Sequence, residues 1–147
     1  MSMNIVDVTD ADGEVLHVAL LARAEPVHRQ LRPDLPPDYV TKMRRVFAGG
    51  GRMSVVLVDA EVRGVAVYRA FENTSDDAKF YIDDIVVDTV ARSQGVGSAL
   101  MAHLQKKARL LNCKTFALDS GTQRHDAHRF YFREGMSIMS FAFKKQL

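Results

Sequence analysis

The sequence predicts a mixed α/β fold of the α+β kind, in which a mostly antiparallel sheet also contains one parallel strand–helix–strand unit. Two β-branched, apolar stretches, MSVVLVD and VRGVAVYRAF, flank a short turn at 59–61 and predict an antiparallel hairpin. A third such stretch, KFYIDDIVVD, is followed by helical spacing and then by KTFALDS. A strand–helix–strand connection of this kind is a right-handed crossover between parallel strands, so we expect a mixed sheet.

The elements follow one another in the order β, α, α, β hairpin, β, α, β, α, β. Met3–Val8 predicts the first strand, and the pattern EVLHVALLARA predicts a helix that Pro26 ends. Apolar residues at helical spacing over 39–47 predict a second helix, closed by AGGG. Near the end, RHDAHRFYFREG predicts a short helix that stops at Gly135, and MSIMSFAFKKQ alternates enough to predict a last strand.

Length and composition favour one ordinary domain over residues 1–147. The chain is 47% hydrophobic and 26% charged, with no repeat, linker or low-complexity tract. A net charge of +2 without a basic block gives no reason to expect nucleic acid as a partner. The one cysteine, Cys113, excludes an internal disulfide and favours a reducing compartment. With no signal-like start and no apolar run of about 20 residues, we expect a cytoplasmic protein without a membrane partner.

The stretch ARSQGVGSAL, which precedes an amphipathic helix, predicts a phosphate-binding loop. A helix N-terminus offers unpaired N–H groups and partial positive charge to an anion, and glycines let the backbone approach it. Two nucleotide-binding patterns fail here. The dinucleotide fingerprint needs a third glycine where Leu100 stands, and the P-loop needs a lysine directly after Gly97.

The spacing that does fit is R-x-x-G-x-G, formed by Arg92, Gly95 and Gly97, after a strand that ends four residues earlier. Downstream, AHRFYFREGM matches A-x-x-F-Y-x-x-x-G-[FM]. With these two blocks in this order, the chain resembles the GNAT superfamily of N-acetyltransferases. The resemblance implies a GNAT-like sheet, acetyl-CoA as co-substrate and transfer of its acetyl group to a primary amine of a small molecule, peptide or protein.

The resemblance also implies which residues bind acetyl-CoA. In the family the pantetheine arm lies along the strand before the loop, which corresponds to the backbone of Ile85, Val86 and Val87. The pyrophosphate would meet the loop and the start of the helix: Arg92, Gln94, Gly95, Val96, Gly97 and Ser98. Where the family often has an asparagine that contacts CoA, this chain has Arg124, which either reaches a CoA phosphate or lies in solvent.

Three residues are candidates for proton transfer. Tyr131 stands at the family's tyrosine position and would protonate the leaving thiolate, a role that needs a lowered phenol pKa or a poorly solvated thiolate. Asp83 corresponds to a glutamate that some family members use to draw the amine proton through water. Asp84 and water or backbone alone are the alternatives. Adjacent residues of a regular strand point to opposite faces, so we expect only one of the two aspartates in the acceptor pocket.

The acceptor groove is the least defined part of the prediction. In the family the first two helices, their connector and the hairpin end form it, and the resemblance implies Tyr39, Phe71, Glu72 and the aspartate pair as lining residues. The loop ENTSDDA is acidic and, if it borders the groove, favours a cationic amine. No metal is expected, since His125 and His128 lack a third ligand. A non-catalytic acyl-CoA-binding module, acyl transfer to a hydroxyl and use of a longer acyl chain are the rival functions, and a homodimer that uses the last strand is the expected assembly.

Overall fold

The computed structural model describes residues 1–147 and contains a five-stranded mixed sheet with four helices. The strands lie in the order β1 (Met3–Asp7), β2 (Arg52–Val58), β3 (Glu61–Asn73), β4 (Asp77–Val87), β5 (Thr115–Leu118). The pairs β1–β2, β2–β3 and β3–β4 are antiparallel, and β4–β5 is the parallel pair. The predicted fold class is therefore confirmed.

The helices are α1 (Val18–Leu31), α2 (Tyr39–Ala48), α3 (Val96–Leu110) and α4 (His125–Arg133). The chain divides into two compact units, residues 1–117 and 118–147, and α4 belongs to the second. A single domain over 1–147 stays a prediction. None of the four helices combines the length and the apolar character that a membrane span requires.

Helix α1 does not end at Pro26 but continues through it to Leu31. Proline removes one helical hydrogen bond and clashes with the preceding turn, which costs about 3 kcal/mol. Here Leu21, Ala24, Val27 and His28 form one continuous buried face, so packing beyond the proline maintains the helix. The expectation of a stop at Pro26 was wrong, and the extra turn is the one that carries His28.

The two faces of the sheet bury different helices. Alternating residues of β2 and β3, among them Met53, Val55, Val65 and Val67, pack in one core with buried residues of α1 and α2. The opposite face carries Gly64, which lies against Val96 at the start of α3. The helix that follows the predicted phosphate loop is thus fixed on one face, and α1 and α2 cover the other.

The predicted last strand does not form. Met136–Leu147 has no regular secondary structure, and the apolar side chains of Ile138, Met139, Phe141 and Phe143 are exposed. An alternating pattern favours a strand only where another strand satisfies its backbone groups, and this segment pairs with none in its own chain. The expectation of a strand was therefore wrong for the single chain.

The contact of Gly64 with α3 is tight enough to be tested. A Cβ at Gly64 would lie 3.0 Å from Val96 Cγ1 and 3.1 Å from Val56 Cγ2, and both valines are buried and β-branched. We expect Gly64→Ala to lower the free energy of unfolding by about 1 kcal/mol through overpacking, measured by urea denaturation. Gly49→Ala is the control, because its Cβ would meet only ordinary contacts at 3.6 Å. Equal stability of the two variants would contradict the tight contact.

Candidate active site

A buried histidine links the first two helices to strand β4. His28, 1% exposed, lies 2.7 Å from the Tyr39 hydroxyl at Nδ1 and 2.7 Å from Asp84 Oδ2 at Nε2. A neutral ring that accepts at Nδ1 and donates from Nε2 satisfies both contacts. Burial, with the charges of Glu25 and Asp84, raises the pKa of Tyr39, so its hydroxyl stays protonated and donates a hydrogen bond to Nδ1 of His28.

A β-bulge in β4 places both aspartates on the same face of the sheet. Val67 of β3 is opposite Asp84 and Tyr68 is opposite Ile82, which leaves Asp83 as the extra residue. An extra residue re-aims the side chains around it. The expectation that only one aspartate faces the pocket was therefore wrong, since it assumed an unbroken pleat.

The two carboxylates line a cavity of about 360 Å³ between α1, α2 and the sheet. Its other lining residues are His28, Arg32, Leu35, Lys42, Met43, Val46, Val67, Arg69 and Tyr81. Of the predicted pocket residues, Tyr39 lies behind the lining and holds His28. Phe71 and Glu72 are exposed farther along β3 and do not line the cavity.

Each carboxylate in the cavity is already paired with an arginine. Asp83 receives hydrogen bonds from Arg69, at 2.5 Å from Nη2 and 3.1 Å from Nε. Asp84 accepts from Arg32 at 2.8 Å in addition to His28. Burial raises the pKa of Asp84, but the hydrogen bonds from His28 and Arg32, together with the charge of Arg32, outweigh it, and the net shift is downward. Asp84 is therefore held as a carboxylate.

Strand β4 leads from this cavity toward the predicted phosphate loop. Asp83 and Asp84 are followed by Ile85–Val87, which pair with β3 on one side. On the other side β5 is four residues long and begins where Lys114 N–H donates to Ala78 O at the start of β4. The end of β4 extends beyond β5 and presents a backbone edge that no neighbouring strand pairs with, as expected for residues that bind an extended arm by their backbone.

The phosphate loop ends in an uncapped helix N-terminus. Gly95 occupies the N-cap position of α3 with φ of +80°, and no side chain caps the helix. The N–H groups of the first turn, Val96–Ser98, therefore have no acceptor within the helix. That first turn contains no acidic residue, and Arg92, Ser93 and Gln94 beside it are exposed. The site fits an anion with several acceptor oxygens, such as a pyrophosphate.

In the second unit, Tyr131 is a buried residue of α4, 8% exposed. Burial raises its pKa, and the charge and hydrogen bond of Arg124 offset this only in part. The phenol therefore carries its proton at neutral pH. The phenol pKa is therefore not lowered, as easy proton transfer to a thiolate would require. Tyr131 can act as the acid only if the CoA thiolate is poorly solvated. Arg124 precedes α4 and contacts the tyrosine in the same unit.

Sequence reasoning missed His28, Arg32 and Arg69. His28 and Arg32 escaped notice because they follow the proline at which α1 was expected to end. Arg69 lies on β3 among apolar residues, and only the register with β4 shows that it reaches Asp83. The apolar residues Leu21, Ala24 and Val27 keep helical spacing across Pro26, and this was the one available signal for a longer helix.

Comparison with known proteins identifies relatives among the N-acetyltransferases. The chain is 30% identical over 129 residues to an uncharacterized N-acetyltransferase, YhdJ, of Bacillus subtilis, covering 84% of this chain and 89% of the relative. It is 39% identical over 66 residues to an aminoalkylphosphonate N-acetyltransferase of Salmonella typhimurium, a match that spans 45% of this chain and 43% of that protein.

The fold is also that of a solved acetyltransferase. AAC(6')-Iy in complex with the bisubstrate analogue CoA-S-monomethyl-acetylneamine superposes with a TM-score of 0.81 at 15% identity, covering 100% of both chains. At that identity the likeness shows the fold alone. The acetyltransferase (GNAT) family model matches residues 18–136. This match and the similarity to YhdJ over 84% of the chain confirm the resemblance drawn from the two sequence blocks: the chain belongs to the GNAT family and is an acetyltransferase.

Proposed function

We propose that the protein transfers an acetyl group from acetyl-CoA directly to the primary amine of a small molecule. The observation that carries the proposal is that one strand, β4, joins a carboxylate-lined cavity to an uncapped helix N-terminus. The cavity would admit the amine, and the loop would hold the pyrophosphate of CoA. Relatives with small-molecule acceptors in their names, an aminoalkylphosphonate acetyltransferase and aminoglycoside acetyltransferases, support this class of acceptor.

The residues of the loop and strand have distinct roles in this proposal. The N–H groups of Val96, Gly97 and Ser98, with Gly95 shaping the turn, bind the pyrophosphate, and Arg92 and Gln94 lie where they contact it. The backbone of Ile85, Val86 and Val87 binds the pantetheine arm and polarises the acetyl oxygen. Arg124 is assigned to Tyr131 rather than to a phosphate, because the two side chains interact.

Asp83 is the better of the two aspartates as acceptor of the amine proton. Its side chain is 24% exposed and is hydrogen-bonded to Arg69, whereas Asp84 is 13% exposed and is held by both His28 and Arg32. An amine, or a water that relays its proton, displaces one of the Arg69 hydrogen bonds more readily than it displaces two partners. Asp84 then orients His28 and Arg32 around the amine.

Tyr131 donates the proton that the leaving thiolate of CoA takes up. The amine nitrogen forms a bond to the acetyl carbon, the carbon–sulfur bond breaks, and the phenol supplies the proton to sulfur. The raised pKa of Tyr131 keeps the donor protonated across the neutral range. Release of a thiol from acetyl-CoA in the presence of small amines tests the whole proposal. Tight CoA binding without turnover on any amine would favour the rival acyl-CoA-binding module.

We also propose a homodimer that forms through Met136–Leu147. This segment exposes Ile138, Met139, Phe141 and Phe143, and its backbone has no strand partner in its own chain. A second copy that pairs with it would bury these side chains and satisfy the backbone. A cytoplasmic location fits the free thiol of Cys113, which a reducing compartment preserves.

Gly95→Val tests the phosphate site. A β-branched residue resists φ of +80°, so the loop would rotate its N–H groups away from the ligand. We expect CoA affinity to fall at least tenfold in isothermal titration calorimetry, with a cooperative thermal transition retained. Gly135→Val is the matched control, because Gly135 has φ of +85° and a similarly open Cβ position at the end of α4. Unchanged CoA binding in Gly95→Val would rule out the loop as the pyrophosphate site.

The proton-transfer roles predict different kinetic signatures. We expect Tyr131→Phe to lower kcat by about 100-fold throughout the neutral range, where the raised pKa keeps the wild-type phenol protonated and able to act as a general acid. Asp83→Asn should also lower kcat, but the deficit should shrink as pH rises, because free amine becomes abundant without a base. Asp76→Asn, in the β3–β4 turn, is the control and should behave as wild type. Full activity of Tyr131→Phe would show that Tyr131 has only a packing role. A deficit in Asp84→Asn but not in Asp83→Asn would show that Asp84 is the general base.

The dimer predicts a mass that depends on the C-terminal segment. Light scattering of the full chain should give twice the mass of 16.4 kDa. Phe141→Lys with Phe143→Lys should give the monomer, because two charges cannot be buried in the paired segment. Lys144→Ala with Lys145→Ala, in the same segment, should remain dimeric. A monomeric wild type at micromolar concentration would contradict the assembly.

A further inference from the structure

The cavity contains more positive than negative charge. Arg32, Lys42 and Arg69 line it together with the two carboxylates, Asp83 and Asp84. Each carboxylate is matched by one arginine, through ion pairs of 2.6 Å and 2.5 Å. Lys42 lines the same cavity from α2, and its ammonium makes no hydrogen bond or ion pair with any residue of the chain. One cation of the cavity is therefore left without a protein partner.

The acidic loop that would have favoured a polycationic acceptor does not line this cavity. The turn after Asn73 is tight, with Asp76 N–H donating to Asn73 Oδ1 at 2.7 Å, and the Asp76 carboxylate pairs with Lys79 at 3.4 Å. The residues that line the cavity come instead from α1, the connector that follows it, α2 and the middle of β3 and β4. The charge that an acceptor meets is that of Lys42 and the arginines beside the aspartates.

A partly buried cation is satisfied best by an anion with several acceptor oxygens. Arg32, 52% exposed at its side chain, uses its Nε and one terminal nitrogen on Asp84 and β4, and it keeps further donors for a ligand. An amine that also carries an acidic group would place the amine toward Asp83 and the acid toward Lys42. A polyamine would instead bring a second cation to Lys42 and be repelled.

We infer that the acceptor is a small amine that carries an acidic group, a phosphonate, phosphate or carboxylate, and that Lys42 with Arg32 binds this group. The inference rests on the proposed acetyl transfer and adds to it the chemistry of the acceptor. Lys42 is then a specificity-determining residue that contacts the substrate away from the reacting atoms. Its substitution raises KM for an amine that carries an acidic group more than for an amine that carries none.

The test compares amines of similar length in the thiol-release assay with acetyl-CoA. The anionic acceptors are 2-aminoethylphosphonate, phosphoethanolamine and β-alanine, which distinguish the three acidic groups. The comparison acceptors are propylamine and putrescine. We expect at least one anionic amine to have a kcat/KM about tenfold or more above propylamine, and putrescine to be the poorest. The rank of the three anionic amines identifies the acidic group.

Variants assign the effect to Lys42. Lys42→Met should raise KM for the preferred anionic amine about tenfold without a matching rise for propylamine, and Lys42→Glu should reverse the order of that amine and putrescine. Arg44→Met, exposed on the same helix and outside the cavity, is the control and should match wild type. Propylamine turnover equal to that of every anionic amine, with no effect of Lys42→Met, would overturn the inference and leave the acetyltransferase proposal intact. Absence of turnover on all five amines, with CoA bound, would overturn both.

Discussion

The extra residue in strand β4 determines the chemistry of the cavity. In an unbroken strand Asp83 and Asp84 would face opposite sides of the sheet, and one of them would lie in the core beneath α3. The bulge places both on the face that α1 and α2 cover. Two carboxylates on one face need two cations, and Arg32 and Arg69 supply them from different elements. The bulge, the charge pairs and the position of α1 therefore depend on one another.

His28 makes this arrangement rigid. A histidine that is buried without partners is costly, and both of its ring nitrogens are matched here, one by Tyr39 and one by Asp84. The chain Tyr39–His28–Asp84–Arg32 connects α2, α1 and β4 through side chains alone. Such a network fixes the orientation of the carboxylate before a ligand arrives, which is the preorganisation that a transfer reaction requires.

Local patterns predicted those parts of the fold whose signal is local. The hairpin at β2–β3, the helix after Gly95 and the short helix before Gly135 follow from β-branched runs, a glycine turn and apolar spacing. Strand pairing and tertiary packing determined the features that local patterns did not predict. The bulge at Asp83 is visible only in the register against β3, and the segment after Met136 lacks the partner that its alternation requires. The helix past Pro26 depends on tertiary burial that outweighs a local penalty.

The pairing of Asp83 with Arg69 has a consequence for selectivity. An incoming ammonium group does not meet a bare carboxylate, because the arginine already neutralises it. Binding is thus an exchange of one cation for another, and its free energy is the difference between two ion pairs rather than the strength of one. A simple monovalent cation gains little from this exchange, since the arginine forms a forked contact that it cannot reproduce. In the resting cavity Arg69 acts as the counterion of Asp83. Only a ligand that makes additional contacts can displace it.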